Sequence, residues 1–305
     1  VASSKLVCQI KLPSNFRLEP FLDFYQRDTQ QTAEQVNVQE NYLLKGMMWN
    51  NQPACLRLDF NLPDRVHVSL DTEALLSAAS KDFFVFKVKK MLGLTQDIET
   101  FERTHETHSE LGTIIQKNRG FRVPVTATSF EALTWAIIGQ QISLKAAISL
   151  RRKWIQAVGK RHHNGLWCYP DALSALCLNV EQLRALGFSY HKARTLLAVS
   201  QLVQSKELPL EQWEQSIPVE SIMQTLMPIP GIGPWTINYT LLRGFGWLDG
   251  SLHADIGMQR GLQRLQNAET KITATAAQEW LMQFAPWRAL ATTHVWHYYT
   301  SLANP

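Results

Sequence analysis

Apolar and polar positions change their rhythm along this chain. Leu56, Leu58, Phe60 and Leu62 alternate with polar neighbours, as do Val66, Val68 and Leu70. A period of two is the mark of half-buried strands. KLVCQIKL and YLLKGMMW are further strand candidates, and EPFLDFYQR between them reads as a helix. After Asp71 the spacing turns helical, in EALLSAASKDFFVFKVKKMLGL, and no convincing strand follows. A break falls at NRGFRVP, Asn118 to Pro124. Beyond it a long run, SFEALTWAIIGQQISLKAAISLRRKWIQAVG, keeps a helical period with Ser129 as a plausible N-cap. Shorter helical stretches continue to the end, with Gly187 as one stop signal.

These patterns predict an α+β protein. An N-terminal antiparallel-sheet α/β domain covers about 1–95, and a mainly helical domain covers 96–305.

Composition narrows the class. The chain has 305 residues, 45% of them hydrophobic, and no apolar run is long enough to cross a bilayer. Val1-Ala2-Ser3-Ser4-Lys5 lacks the apolar centre of a signal peptide. The expectation is a protein without membrane attachment, monomeric, cytoplasmic and near the nucleoid in a bacterium or nuclear in a eukaryote. Cys8, Cys55, Cys168 and Cys177 show no C-x-x-C spacing, which argues against a disulfide framework or a structural zinc and for small buried apolar residues. His105 and His108 could share a helix face, but with no third ligand evident they read as a solvated face. The net charge of +4 permits an anionic partner without establishing one. The basic clusters Arg151-Arg152-Lys153 and Lys160-Arg161-His162-His163 read as wet helix faces unless they border a site.

The stretch IPGIGPWTINY, Ile229 to Tyr239, carries the sharpest local chemistry. Pro228 and Pro230 cannot continue the helix of ESIMQTL. Gly231 and Gly233 allow positive φ and close backbone approach, and Pro234 suits the first turn of a new helix. The unit is helix, tight hairpin, helix. It leaves the N–H groups of Gly231, Ile232 and Gly233 beside a helix N-terminus, a natural anion site, and Thr236 can add a hydroxyl. There is no G-K-[ST] and no preceding strand, so neither a P-loop nor a dinucleotide turn fits.

PGIGPWTINY resembles the helix-hairpin-helix of DNA base-excision glycosylases, in which a Gly/Pro-rich loop and an aspartate follow the hairpin. GFGWLDGSLHADIGMQRGL supplies both, with Asp255 twenty residues after Trp235. FEALTWAIIGQQIS, LGFSYHKARTLL and PWRALATTHVW extend the resemblance to the 3-methyladenine DNA glycosylase II family, weakly before Phe121 and strongly after it. The resemblance implies two helical subdomains, about 124–247 and 96–123 plus 248–305, with an active cleft between them. Lyase-type relatives resembling endonuclease III carry a lysine just before the hairpin threonine; Trp235 stands there. Their cluster-binding cysteines near the C-terminus have no counterpart after Cys177. A monofunctional glycosylase without an iron–sulfur cluster is therefore expected, excising alkylated bases such as 3-methyladenine and 7-methylguanine from double-stranded DNA and leaving an abasic site. A glycosylase for hypoxanthine or an oxidised base, and a non-catalytic hairpin protein that binds DNA, are the rival readings.

Within that resemblance each candidate residue has a physical role. Breaking an N-glycosidic bond builds positive charge on the sugar, and a carboxylate beside the anomeric carbon stabilises it; Asp255 is the candidate. It also reads as the N-cap of IGMQRGL, and both can hold. Asp249, in LDG, reads as a turn. An alkylated purine is already cationic, so it departs without a second acid and is recognised by aromatic faces. Of ten tryptophans, Trp235 and Trp296 are implied to line the base pocket with Tyr239, although core packing is the default for any single tryptophan. Gln141, with Gln140 next, occupies the place of the wedge that fills the gap left by a flipped base. Gly231, Gly233 and Thr236 are expected to hold a phosphate. No cofactor is expected, except that the family implies a structural Na+ or K+ on the carbonyls of Met227, Ile229 and Gly231.

Overall fold

The computed structural model describes residues 4–303, so the outermost ends of the two expected domains lie outside the described residues. Strands β1 (Ser4–Lys11), β2 (Glu34–Asn37), β3 (Tyr42–Trp49), β4 (Gln52–Leu62) and β5 (Arg65–Thr72) form one antiparallel sheet in the order β1-β5-β4-β3-β2. Asn50 and Asn51 both take positive φ between β3 and β4, the backbone that a tight two-residue hairpin requires. The short strand β2 carries only Val36 as a hydrophobic residue, too little to show a period.

Helices α1 (Leu18–Tyr25) and α2 (Ala78–Met91) cover the sheet. Phe21 and Leu22 of the first and Phe84, Val88 and Met91 of the second share one cluster with Leu56, Leu58, Val66, Val68 and Leu70. The expected boundary at 95/96 falls between Leu92, in this cluster, and Ile98, in another.

The helical part runs through α3 (Ile98–His105), α4 (Gly112–Lys117), α5 (Ser129–Gly139), α6 (Leu144–Val158), α7 (Ala172–Ala175), α8 (Val180–Leu186) and α9 (Tyr190–Gln204). It continues with α10 (Leu210–Ser216), α11 (Val219–Leu226), α12 (Pro234–Thr240), a π-helical turn over Leu241–Phe245, α13 (Ile256–Leu265), α14 (Ala274–Met282) and α15 (Arg288–Ala303). One hydrophobic cluster is built mainly from α5 to α12 and another from α3, α4 and the chain beyond Leu248. Phe121 packs on His294 and His297 of α15, which ties the middle of the chain to its end. Among the described residues no helix is long and apolar enough to cross a membrane.

Several expectations change. The long run after Thr128 is two helices, because the chain leaves α5 at Gln140 and re-enters a helix only at Leu144. The cap of α5 is Thr128, whose hydroxyl accepts from Glu131 N–H; the Ser129 hydroxyl donates to Glu214 instead. Cys177 is exposed and Cys8 half-buried, so only Cys55 and Cys168 are the buried residues expected.

The basic clusters are only partly wet: Lys153, Lys160, Arg161 and His163 are exposed, and the others are not. Arg151 is buried and bonds Glu34 and Glu131, and Lys45 reaches the same two carboxylates. Arg152 pairs with Asp28. Lys160 to His163 lie beyond α6, outside any helix, and His162 is 4% exposed. A second buried set joins Lys87 and Lys90 of α2 to Glu214 of α10. Removing one member of such a set would strand its partner's charge away from water, which typically costs about 3–5 kcal/mol. These ion pairs fasten the sheet domain to the helices.

Candidate active site

The chain leaves α11 at Met227 and turns on Pro228, Pro230 and Gly231. Gly231 has φ +89°, and a Cβ there would lie 2.3 Å from Thr195 Oγ1. That hydroxyl donates to the Pro230 carbonyl at 2.7 Å. Both the backbone angle and the close approach therefore require glycine. Gly233 is extended and caps α12, with Pro234 at the first helical position. The N–H groups of Gly231 and Gly233 have no acceptor among the described residues, while Ile232 N–H is spent on the Ile229 carbonyl at 3.0 Å. Two of the three expected amides remain for an anion.

Helix α12 brings Trp235 and Tyr239 one turn apart, with ring centroids 5.3 Å apart and planes at 30°. Trp296 arrives from α15, 6.5 Å from the Tyr239 ring. Asp255 arrives from the loop that follows the π-helical turn and caps α13, accepting from Met258 N–H at 2.9 Å. Trp296 Nε1–H donates to Asp255 Oδ1 at 2.9 Å, and Trp235 Nε1–H donates to Oδ2 at 3.1 Å. A carboxylate offers about four lone-pair directions. Oδ1 accepts two hydrogen bonds and Oδ2 one, so the remaining direction is on Oδ2. The capping role and the buttressing by two indoles coexist in one half-buried side chain. Gly257 makes room for this: a Cβ there would sit 3.0 Å from Asp255 Oδ1 and 3.4 Å from the Trp296 indole nitrogen.

Asp249 is committed elsewhere. Both of its oxygens accept from Arg288, at 2.8 Å each. This is an ion pair in place of the expected turn.

The two glutamines separate. Gln140 Nε2 donates to the Gly231 carbonyl at 2.8 Å and to Thr236 Oγ1 at 2.9 Å. It braces the hairpin and is not free to serve as a wedge. Thr236 is 2% exposed, so its hydroxyl seats this brace and does not present itself at the surface as expected. Gln141 is exposed and has φ +55°. A non-glycine residue in that region is held by its surroundings at a cost of about 1–2 kcal/mol.

The expected cation carbonyls are only partly engaged. Ile229 accepts from Ile232 N–H and Gly231 from Gln140, and each carbonyl keeps a second lone pair. The Met227 carbonyl has no donor among the described residues. Three hard oxygens suit an alkali cation.

Sequence reading missed Arg243. It lies in the π-helical turn, donates to the Pro124 carbonyl at 3.0 Å, and sits 4.7 Å from the Phe24 ring and 5.9 Å from the Trp296 ring. Burial lowers its pKa to about 10. It links α1 of the sheet domain to the aromatic site. A π-turn leaves no period in sequence, and such turns gather at functional sites. The His105 and His108 pair is corrected as well. His105 packs on Phe101, Phe284 and Trp287, and His108 on Trp280 and Phe284, with Nε2 bonded to Gln283.

The sequence profile described as "HhH-GPD superfamily base excision DNA repair protein" matches residues 134–286. The chain is 28% identical over 192 residues to a Bacillus subtilis protein named putative DNA-3-methyladenine glycosylase YfjP; the match covers 63% of this chain and 66% of the relative. It is 30% identical over 191 residues to Escherichia coli DNA-3-methyladenine glycosylase 2, covering 61% and 64% of the two chains. The chain thus spans just under two thirds of the length of these curated relatives. Its fold superposes on that of the 3-methyladenine DNA-glycosylase from Archaeoglobus fulgidus with a TM-score of 0.81 at 22% identity, over 98% of this chain and all of the other.

Proposed function

Since the chain belongs to the HhH-GPD superfamily of base excision DNA repair proteins, we propose that it is a monofunctional DNA glycosylase that removes alkylated, positively charged bases from duplex DNA. The observation that carries this reading is the Asp255 carboxylate, held by Trp235 and Trp296 beside Tyr239. The related proteins named as 3-methyladenine glycosylases support the substrate class.

The chemistry follows from the charges. The C1′–N bond of the damaged nucleotide breaks and its electron pair goes to the base, which leaves neutral because alkylation had made it cationic. The sugar carries the positive charge, and the free direction of Asp255 Oδ2 is where a carboxylate can stabilise it. A preorganised charge in a site shielded from water loses little to reorganisation. Water then adds to C1′ and loses its proton to Asp255 or to solvent. Trp235 stands where a Schiff-base lysine would be needed for strand cleavage, so the product is an intact strand with an abasic site. Indole and phenol faces attract a cationic ring by their electron density, which selects charge and flat shape over a particular hydrogen-bond pattern.

Duplex binding rests on backbone phosphate, since damage arises in any sequence. The Gly231 and Gly233 amides point an anion at the start of α12. An alkali cation on the Met227, Ile229 and Gly231 carbonyls would add one positive charge beside that phosphate. Gln141, exposed beside the hairpin brace, is assigned here as the side chain that enters the stack.

The deciding experiment is chromatography of the bases released from methylated duplex DNA. Release of 3-methyladenine or 7-methylguanine is expected. Release of hypoxanthine or 8-oxoguanine alone from matching duplexes, or tight binding with no release, would replace this reading by one of its rivals.

A further inference from the structure

Gly46, Cys55 and Asp71 lie in one cross-strand row of the sheet, so their side-chain positions share one face. The chain leaving α6 is laid against that face: a Cβ on Gly46 would lie 2.0 Å from the Trp167 carbonyl oxygen. This packing brings His162 and His163 over Asp71. His162 Nε2 stands 4.0 Å from Asp71 Oδ1, and His163 Nε2 stands 3.4 Å from Asp71 Oδ2. The three donor atoms all lie within 4.8 Å of one another.

Hydrogen bonding does not account for the cluster. His162 is 4% exposed, yet among the described residues its Nε2 has no partner, and neither has the buried Asp71 Oδ1 facing it. Two buried polar atoms left unpaired across a gap too long for a hydrogen bond are costly. An ion between them removes both costs. Two imidazole nitrogens and a carboxylate oxygen are the donors that borderline divalent metals take. Donors about 2.0–2.2 Å from a tetrahedral zinc stand about 3.3–3.5 Å apart. The His163 contact, to Oδ2, already has that spacing; the His162 contact, to Oδ1, is longer, so the Asp71 carboxylate and the His162 ring must turn slightly to set one oxygen and both nitrogens on the ion.

We propose that Asp71, His162 and His163 form a divalent-metal site for Zn2+ or an ion of similar character, stapling the segment after α6 to the sheet. The side chain of His163 is half exposed, so the fourth position opens to water. Taking the metal on Nε2 puts the His162 ring proton on Nδ1. That gives up the contact from Asn164 N–H, which at 3.4 Å is weak. None of the three residues belongs to the aromatic site, so the ion's role is mechanical. It would hold the segment after α6 to strand β5.

The test uses the full chain after treatment with chelator. Calorimetric titration with Zn2+ and the visible spectrum with Co2+ report binding, and thermal unfolding with and without Zn2+ reports the staple. Wild type should take one equivalent, give the spectrum of low-coordinate Co2+ and melt higher with zinc, because an ion that binds the folded form stabilises it. His163→Ala should fold, as that side chain is half exposed, and should melt like metal-free wild type with or without zinc. Its zinc affinity should fall by more than the roughly 10- to 100-fold that losing an outer-shell partner costs. His162→Gln should behave likewise; if it does not fold, His163→Ala decides. The proposal is overturned if wild type binds no stoichiometric metal, or if His163→Ala binds as tightly and gains as much thermal stability as wild type.

Discussion

Trp235 and Asp255 meet edge to carboxylate: the indole N–H donates to Oδ2 at 3.1 Å across twenty residues of chain. Trp296 makes the matching contact to Oδ1 at 2.9 Å. The carboxylate is therefore oriented by two large side chains from different helices as well as by its own helix N-terminus.

That orientation makes Asp255→Asn a clean probe. Asparagine caps a helix as well as aspartate does, but its NH2 cannot accept the Trp235 N–H bond that Oδ2 takes, so the variant should melt below wild type by no more than about 1–2 kcal/mol of stability. It loses the negative charge facing the sugar, and excision should drop by at least about 10³-fold. Single-turnover base release and a gel-shift assay on damaged duplex should show lost chemistry with retained binding. Near-normal release would remove Asp255 from the mechanism.

Gly257→Ala separates stability from activity. Alanine in a helix is favoured over glycine by about 1 kcal/mol, so the melting temperature should hold or rise. The new methyl would press on Asp255 Oδ1 from 3.0 Å and on the Trp296 indole. Displacing a preorganised group by a few tenths of an ångström should lower the excision rate by roughly tenfold. An unchanged rate would mean that the Asp255–Trp296 contact is not needed in that geometry.

The two glutamines should give opposite phenotypes. Gln141→Gly relieves a positive φ and should stabilise the fold by about 1 kcal/mol, yet slow excision from paired duplex. Its effect should shrink when the damaged base is already unpaired, since flipping then costs less. Gln140→Ala releases the brace on Gly231 and Thr236 and should weaken binding to damaged and undamaged duplex alike. Titrations with paired and mismatched substrates distinguish the two. A paired-versus-mismatched difference at position 140 would reverse the assignment.

Acid should unfold the protein through His294. The ring is fully enclosed, both nitrogens lack partners among the described residues, and burial lowers its pKa to about 3. The unfolded chain takes up this proton below about pH 6.5 while the folded chain refuses it. Stability is then complete above that pH and falls by roughly 1.4 kcal/mol per unit below it. His105 and His297, also lowered by burial, add to the same window. Glu34 and Glu214 join only below about pH 4.5. Burial would raise them, but Arg151 and Lys45 for the first, and Lys87 and Lys90 for the second, outweigh it and hold both near 2. His294→Phe should leave stability at pH 7 unchanged or higher and reduce the pH slope between 6 and 5 by close to one proton. Denaturant midpoints across that range measure it; an unaltered slope would place the acid sensitivity elsewhere.

Much of the fold was legible as period. β1, β3, β4 and β5 and most helices lie where alternation or helical spacing placed them, because burying one face of a strand or helix imposes that rhythm on its own residues. β2 was too short to show a rhythm. The apolar spacing runs on across Gln140, so the break there was marked only by the family resemblance, which sets a loop at Gln140-Gln141.

The hairpin was legible for a local reason: proline and glycine limit or free their own backbone torsions wherever the rest of the chain goes. The same holds for Asp255 as a cap, since that bond spans three residues. The sequence alone could not say that Gln140 turns in while Gln141 turns out, that Arg243 bridges α1 to the aromatic site, or that Asp71 lies under His162 and His163. Each of these relations joins segments from roughly ninety to more than two hundred residues apart, or depends on one torsion among neighbours of like polarity. They exist only after the hydrophobic clusters have closed and fixed which distant side chains face each other.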